Sequence, residues 1–367
     1  MPAGQSAYNG LRQYGFRVPC AVVSPWSRAH HVSRRVFGHT SICALVAAEW
    51  NLPALTYRDA NANNMLDLLD LRRPAPPAAP SLAWALMTAR AELGRFGIWR
   101  SASLVTADIA AGVERLGFGA LWLGSSPGGD LAQAEALLDA TTTLTLATSI
   151  VNVWKDPAEL VAGSFARVQR RHPGRFLLGV GAGHPEATQQ YARPYETLAR
   201  YVDVLLAGGV PRHSLVLAAL GPRVLRLARD RTAGAIPYLV PPEHTAQARE
   251  LLGPGPLLAP EQMVVLDTDP ARARALGRTR VRTPYLGLVN YTSNLRRLGW
   301  SEGDLAGEGS DALIDALVAH GSPAAVAGQL ARHLDAGADH VCVQLITAEG
   351  AGPLPGYARL APALGLF

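Results

Sequence analysis

Gly117-Phe118-Gly119-Ala120-Leu121-Trp122-Leu123-Gly124 contains a short apolar run, Ala120–Gly124, preceded by a glycine and ending in one. Continuous apolar character without alternation suits a strand buried on both faces, as in a parallel sheet. Working outward, the same kind of run recurs at 96–99, 144–149, 176–181, 215–219, 234–237, 263–266 and 340–345. Helical patterns lie between the runs. Several open with a capping residue and a proline at the first helical position: Asp156-Pro157, Asp269-Pro270 and Ser322-Pro323. From Pro323, the residues Val326, Leu330 and Leu334 share one helical face, and Gly337 stops the pattern. Eight strands alternating with helices over about 280 residues have the size and rhythm of a (β/α)8 TIM barrel. A doubly wound sheet is the rival, but it usually needs fewer strands in one domain. The expected fold is therefore α/β, a TIM barrel with a long helical insertion over 284–321.

Upstream of the barrel pattern the texture changes. Arg72-Arg73-Pro74-Ala75-Pro76-Pro77-Ala78-Ala79-Pro80 carries four prolines in seven residues, which precludes helix and favours extended linker geometry. Before it stand only one β-like run, 18–23, and one helical run, 40–50. That inventory is thin for an independent core, because small chains bury too little surface to offset chain entropy. The expected organisation is a partial α/β fragment over 1–73, a Pro/Ala-rich linker over 74–86 and the barrel over 87–367. Met87 stands where a second translation start would leave the barrel intact.

Composition excludes several functions. Hydrophobic residues make up 49% and charged residues 17% of the 367, so a large core is available. The net charge of +5 is concentrated at the start: residues 1–86 contribute +4 and residues 87–367 only +1. A nearly neutral body offers no electrostatic footprint for nucleic acid. Lys155 is the sole lysine, so no phosphate loop of the Gly-Lys-Ser/Thr type exists. Cys20, Cys43 and Cys342 are too few and scattered for a disulfide framework or zinc ribbon, and the histidines show no metal-ligand spacing. No apolar run reaches membrane-spanning length and no signal peptide is visible, so the expectation is a soluble cytoplasmic protein without metal.

The motifs that carry chemistry fall at predicted strand ends, where barrel active sites lie. Gly124-Ser125-Ser126-Pro127-Gly128 imitates a nucleophile elbow, but the oxyanion donor would be Pro127, which has no N–H. It reads as a turn. Gly181-Ala182-Gly183-His184 either forms a tight turn or lets a planar cofactor approach the backbone. Ala219-Leu220-Gly221-Pro222-Arg223 opens a helix whose free amides make an anion seat, with Arg223 at hand, although many such turns bind nothing. His184 suits proton transfer, while a lone rim histidine is more often structural. Trp99, Asn152, Trp154 and Tyr238 either wall a cofactor pocket or close the barrel top.

From about residue 92 onward the chain resembles the luciferase-like flavin and deazaflavin oxidoreductases, in a coenzyme F420-dependent branch common in actinobacteria. The carrying stretches are Leu93–Trp99, Gly117–Gly124, Ala147-Thr148-Ser149-Ile150, Pro173–Gly181, Ala218–Arg223, Pro237–Thr245 and Asp335–Val341, all in order. The resemblance implies a deazaflavin at the C-terminal mouth. It implies a non-proline cis peptide at Ser149-Ile150 buttressing the ring, and cofactor contacts from Trp99, Ser149, Ile150, Gly181, Ala182, Gly183, Ala219, Gly221, Pro222 and Arg223. The cofactor supplies hydride chemistry. His184 is the first candidate for proton handling, with Asn152 and Tyr238 as alternatives. One departure stands out: Ser125 replaces the glutamate that usually follows the second strand in this branch. The His and Glu of sugar-phosphate dehydrogenases are also missing, so a sugar phosphate is not expected.

Residues 8–73 resemble the C-terminal end of a bacterial phospholipase C-type phosphoesterase. Tyr14–Pro19, Val23–Arg28, His39-Thr40-Ser41, Leu52–Thr56 and Arg58–Asn63 follow in order, with Gly38 where that family has Asp. In that family the nucleophile and most metal ligands precede these motifs, so no phosphoesterase activity is expected. The join reads as a gene fusion or a mis-started frame. The leading function is hydride transfer between F420 and a small carbonyl, alcohol or enone. The alternatives are an FMN-dependent monooxygenase and a non-catalytic fusion protein. The resemblance is compatible with a homodimer, and the rim loops do not reveal the substrate.

Overall fold

The computed structural model describes residue 28 and residues 31–50, 52–56, 60–70, 93–184, 193–348 and 350–366. Two compact units divide the chain, Met1–Ser81 and Leu82–Phe367. In the first, the expected helix is present as Thr40–Trp50, and a 3-10 turn follows at Leu66–Leu68. Ser33 Oγ donates to Asp67 at 2.6 Å, and the Arg28 amide donates to the Leu68 carbonyl at 2.9 Å. Ile42, Val46 and Trp50 are exposed at helical spacing. The expected strand at 18–23, the linker and Met87 lie outside the described residues.

The second unit is a parallel barrel. Its strands are β1 Phe96–Ser101, β2 Ala120–Gly124, β3 Thr145–Ser149, β4 Val151–Asn152, β5 Phe176–Gly181, β6 Leu215–Leu217, β7 Gly234–Ala235, β8 Leu257–Leu258, β9 Glu261–Val265, β10 Val318–His320 and β11 Val341–Leu345. Strands β3 and β4 form one stave interrupted at Ser149-Ile150, whose peptide is cis. Strands β8 and β9 form another, interrupted at Ala259-Pro260. The lower half pairs with β7, and the upper half pairs with β11 on one edge and β10 on the other. Counted as staves, eight close the ring, with β11 returning to β1. The amides of Leu257, Ala259 and Glu261 bond to the carbonyls of Ala233, Ala235 and Pro237. Pro260 falls between those positions, where its missing N–H breaks none of these bonds.

Alternation along each strand feeds two layers. Trp99, Trp122, Ala147, Leu177, Val216, Ile236 and Cys342 pack inside the barrel. Ile98, Leu121, Leu123, Leu146, Leu178 and Val343 face the surrounding helices. Burial on both faces is why these strands read as unbroken apolar runs. His340 plugs the lower end: Trp122 Nε1 donates to its Nε2 at 3.0 Å, and its Nδ1 donates to the Gly94 carbonyl at 2.9 Å. Gly97 is required there, since an added Cβ would lie 2.6 Å from the imidazole.

Helix starts follow the expected chemistry at two of three places. Asp269 accepts from the amides of Ala271 and Arg272, and Ser322 from that of Ala325. The helix Ala158–Arg171 instead has Pro157 at its cap, so Asp156 caps nothing; its carbonyl accepts the Tyr201 hydroxyl at 2.9 Å. After the helix Pro270–Arg282 the insertion carries the helices Val289–Arg297, Glu302–Leu305 and Asp311–Leu317, then ends in β10 rather than in helix. Three residues give no readable period. A separate apolar cluster of Met263, Val265, Val281, Leu288, Tyr291, Leu313 and Ile314 holds the insertion on β9.

A buried polar chain ties this region to the helix layer. Thr245 Oγ1 lies 2.7 Å from His333 Nδ1, His333 Nε2 lies 2.7 Å from Gln262 Oε1, and Gln262 Nε2 donates to the Leu317 carbonyl at 2.7 Å. The amide's N–H being spent on Leu317, its oxygen accepts from His333 Nε2–H, so Thr245 donates to Nδ1. Thr245→Val leaves that nitrogen unsatisfied and is expected to destabilise the fold by about 1–3 kcal/mol, read as a lowered urea midpoint. Burial holds His333 down to about 3 and His340 to about 4, against an ordinary 6.5. Their contribution is intact above pH 6.5 and falls as pH drops towards 4 and 3, because the unfolded rings protonate first. Urea midpoints measured across that window test the sign.

Candidate functional site

The C-terminal mouth of the barrel is built around Trp99. Its indole Nε1 donates to Ser149 Oγ at 3.0 Å, its ring lies over Gly124, and its centroid is 5.2 Å from that of Tyr238. A Cβ added at Gly124 would meet the indole at 2.0 Å, so glycine is needed at the end of β2. One residue on, Ser125 and Ser126 both take left-handed backbone, at φ 62° and 55°. The segment is a strand-to-helix turn, as its proline required.

Small residues line the next part of the rim. A Cβ at Gly181 would lie 2.9 Å from Ala218 Cβ and 3.1 Å from Ile150 Cγ1. Gly183 has φ +62°, with the Asn152 amide 2.7 Å from where its Cβ would stand. Asn152 is buried, and its Oδ1 accepts the Trp154 amide at 3.0 Å. Trp154 Nε1 in turn donates to the Ala182 carbonyl at 2.6 Å. These bonds fix the β4–β5 corner, with the Asn152 carboxamide engaged in holding it.

Aromatic side chains continue the wall. Tyr285 donates to the Tyr238 hydroxyl at 2.8 Å, and Tyr238 donates to Gln344 Oε1 at 2.8 Å. Ring centroids of Tyr285 and Tyr291 are 5.0 Å apart, and those of Tyr291 and His184 are 5.3 Å apart. His184 Nδ1 meets the Asn290 amide nitrogen at 3.2 Å. Burial, then the field of Glu261, pushes the Tyr238 hydroxyl well above its ordinary range. Its chain also ends on an amide oxygen, which accepts a proton bond but passes no proton on.

The structure thus gathers Trp99, Ser149, Ile150, Gly181, Gly183, Asn152 and Tyr238 around the mouth and links His184 to it through Tyr291. Ala219 is buried, Gly221 caps the helix Pro222–Arg231 and Pro222 is its first residue. The Arg223 side chain, 66% exposed, stacks 4.1 Å over Tyr195 and pairs with Glu196 at 3.5 Å, both in the first turn of the helix Pro194–Ala207. Gln344, Glu261, Tyr285, Asn290 and Tyr291 were not foreseen. Only Glu261 left a trace, as a carboxyl two residues before the apolar run 263–266. No group of three His, Cys, Asp or Glu able to hold a metal occurs among the described residues, and none of their helices is long and apolar enough to cross a membrane.

Glu261 is 2% exposed. Its Oε2 accepts the Leu239 amide at 3.0 Å, while Oε1 has no partner. Leu239 takes left-handed backbone at φ 53°, directly after Tyr238. The carboxyl therefore holds the turn that carries Tyr238, and burial raises its pKa to about 8.

Comparison with known proteins agrees with this architecture. Residues 104–208 match the family model for luciferase-like monooxygenases, and residues 2–53 match that of the phosphoesterase family. The solved structure of an F420-dependent secondary alcohol dehydrogenase with an F420-acetone adduct superposes with a TM-score of 0.58 at 15% identity, covering 74% of this chain and 99% of that one. The oxygenating constituent of 3,6-diketocamphane monooxygenase from Pseudomonas putida, with FMN, superposes with a TM-score of 0.52 at 15% identity, covering 73% of this chain and 96% of that one. Phospholipase C B of Mycobacterium tuberculosis is 34% identical over 82 residues, which are 22% of this chain and 16% of that protein. This chain thus spans about one sixth of that relative's length.

Glu261→Gln keeps an oxygen for the Leu239 amide and removes the titration. A carboxyl raised from 4.5 to about 8 makes the folded state bind the extra proton between those values. Wild-type stability relative to Glu261→Gln is therefore expected to fall as pH rises from 4.5 to 8, by up to about 1.4 kcal/mol per pH unit. Parallel urea titrations of the two proteins at several pH values check this.

Proposed function

We propose that the protein transfers a hydride between coenzyme F420 and a small carbonyl, alcohol or enone. The observation that carries this reading is the divided rim. Small residues at Gly181 and Ala218 stand beside Ile150, next to an aromatic wall of Trp99, Tyr238, Tyr285 and Tyr291. A flat tricyclic ring fits where strand ends carry little more than backbone, and a Cβ at Gly181 would close that cradle against Ala218 and Ile150. Bound there, the deazaflavin supplies hydride chemistry.

The chain's own residues supply orientation and the proton. Ser149, held by Trp99, and Ile150 would support one face of the ring. Trp99, Tyr238 and Tyr291 exclude water from the reacting atoms and shape the substrate space. Tyr238 offers a fixed hydroxyl for hydrogen bonding rather than a titrating one. Asn152 keeps the Gly183 turn in place. That leaves His184 to hold or accept the proton at its imidazole, the ring oriented by Asn290 and Tyr291. A second reading, an FMN-dependent monooxygenase, draws on the family model matched over 104–208. It uses the same mouth and requires a reductase partner.

Titration of the full chain with oxidised F420 and, separately, with FMN tests the proposal. Micromolar or tighter F420 binding with FMN ignored is the expected result. FMN binding with F420 ignored overturns it in favour of the monooxygenase. With an F420 substrate pair in hand, His184→Ala is expected to lower kcat by about 100-fold or more with F420 affinity retained. Unchanged kcat would remove His184 from the mechanism.

A further inference from the structure

Gln344 is the one residue of β11 that is not buried. Its neighbours Val343 and Leu345 pack against the helix layer, so its side chain points into the barrel, on the same face as Cys342. Register sets it beside Trp99: Ile98 pairs with Val343, and Trp99 and Gln344 come next on the two strands. The layer beneath is Cys342 paired with Glu261, each only 2% exposed. The open side of Gln344 is therefore the mouth.

The hydrogen bonds that reach it run in one direction. Tyr285 spends its single hydroxyl hydrogen on Tyr238, and Tyr238 spends its own on Gln344 Oε1, each at 2.8 Å. A carboxamide whose oxygen accepts there presents its N–H2 on the other branch. Turning the amide over would aim Nε2 and Tyr285 together at the Tyr238 oxygen and leave the Tyr238 hydrogen with no acceptor. Nε2 has no partner among the described residues and is not sealed from solvent. Indole donors along the rim are already engaged, Trp99 Nε1 with Ser149 and Trp154 Nε1 with the Ala182 carbonyl. Gln344 thus brings unspent N–H bonds to the mouth on a side chain whose oxygen is anchored.

We infer that the Gln344 carboxamide binds the oxygen of a carbonyl-class substrate and so selects ketones, aldehydes and enones. The identity of the hydride donor rests on the proposed function; the oxygen contact does not. An N–H2 group only donates, so it matches a carbonyl oxygen and offers nothing to an ammonium group, which only donates as well. A hydride that forms the new C–H bond at the carbonyl carbon drives the C=O π pair onto oxygen. In an enone the hydride adds at the far alkene carbon and the displaced pair reaches the same oxygen through conjugation. Negative charge grows in both cases on the atom that Gln344 holds, where a fixed amide donor lowers the barrier. The two electrons leave the hydride donor, which is oxidised, and the proton that completes the product comes from His184 under the proposed function. Gln344 itself gives up no proton.

Infrared spectra of cyclohexenone, isotope-labelled at its carbonyl and bound to the full chain with oxidised F420, test the contact without turnover, because the oxidised cofactor has no hydride to give. The expected carbonyl band lies below its position in hexane and returns towards that position in Gln344→Met. Gln344→Glu, studied where the carboxyl is ionised, keeps an oxygen for Tyr238 but loses the donors, so it separates anchoring the wall from holding the substrate. It too is expected to lose the shift. Both variants are expected to lower kcat for a carbonyl substrate by about 100-fold with F420 affinity retained. No band from bound probe, an unchanged band in Gln344→Glu, or unchanged kcat overturns the inference. Weakened F420 binding with an unchanged band assigns the donor to the cofactor and overturns it as well. The same spectra with FMN and without cofactor keep the two readings apart. A Gln344-dependent shift in a chain that binds no F420 overturns the proposed function and leaves the oxygen contact standing.

Discussion

The break at Ala259-Pro260 is the constraint on which the rest of the mouth depends. Below it, Leu257–Leu258 stays paired with β7 and closes the barrel. Above it, Glu261–Val265 leaves that neighbour and takes β10 as its new one. A parallel barrel that opened in this way would expose backbone and an apolar face to water. The insertion covers both: β10 takes up the ladder, and the Met263, Val265 and Tyr291 cluster fills the face. Glu261, the first residue past the break, keeps the opening from spreading, since its amide bonds to Pro237 and its carboxyl to Leu239.

That wedge brings the insertion to the mouth, and the mouth's character follows from it. Strands β2, β3 and β5 end in the small residues Gly124, Ser149 and Gly181. The aromatic wall comes from Trp99, Tyr238 and the insertion's Tyr285 and Tyr291, and the same insertion brings Asn290 to His184. One half of the rim thus suits a flat cofactor, and the other is shaped to recognise what reacts with it. Rim loops that differ while the staves stay fixed are how barrels of this kind vary their chemistry.

The staves were largely legible in the sequence. Burial on both faces writes an unbroken apolar run, so β1, β2, β3, β5 and β11 begin or end within two residues of expectation. The split stave was not, because Gly253-Pro254-Gly255-Pro256 and Pro260 look like loop, and only its upper half was expected. At the site, Trp99, Ser149, Ile150, Gly181 and Tyr238 could be placed because a strand end fixes where a residue lies. The direction of Arg223 could not be read, since Tyr195 and Glu196 on another helix decide it. Tyr285 and Asn290 gave no signal at all, since their place depends on how the insertion docks.

The central claim is that cofactor and insertion share one mouth. Hydrogen–deuterium exchange of the full chain, with and without saturating oxidised F420, tests it most directly. The account predicts slowed exchange at the strand ends around 149–154, 179–184 and 218–224 and also in the insertion helix 289–297. Protection elsewhere on the barrel, or protection of the strand ends with the insertion helix unaffected, would contradict it.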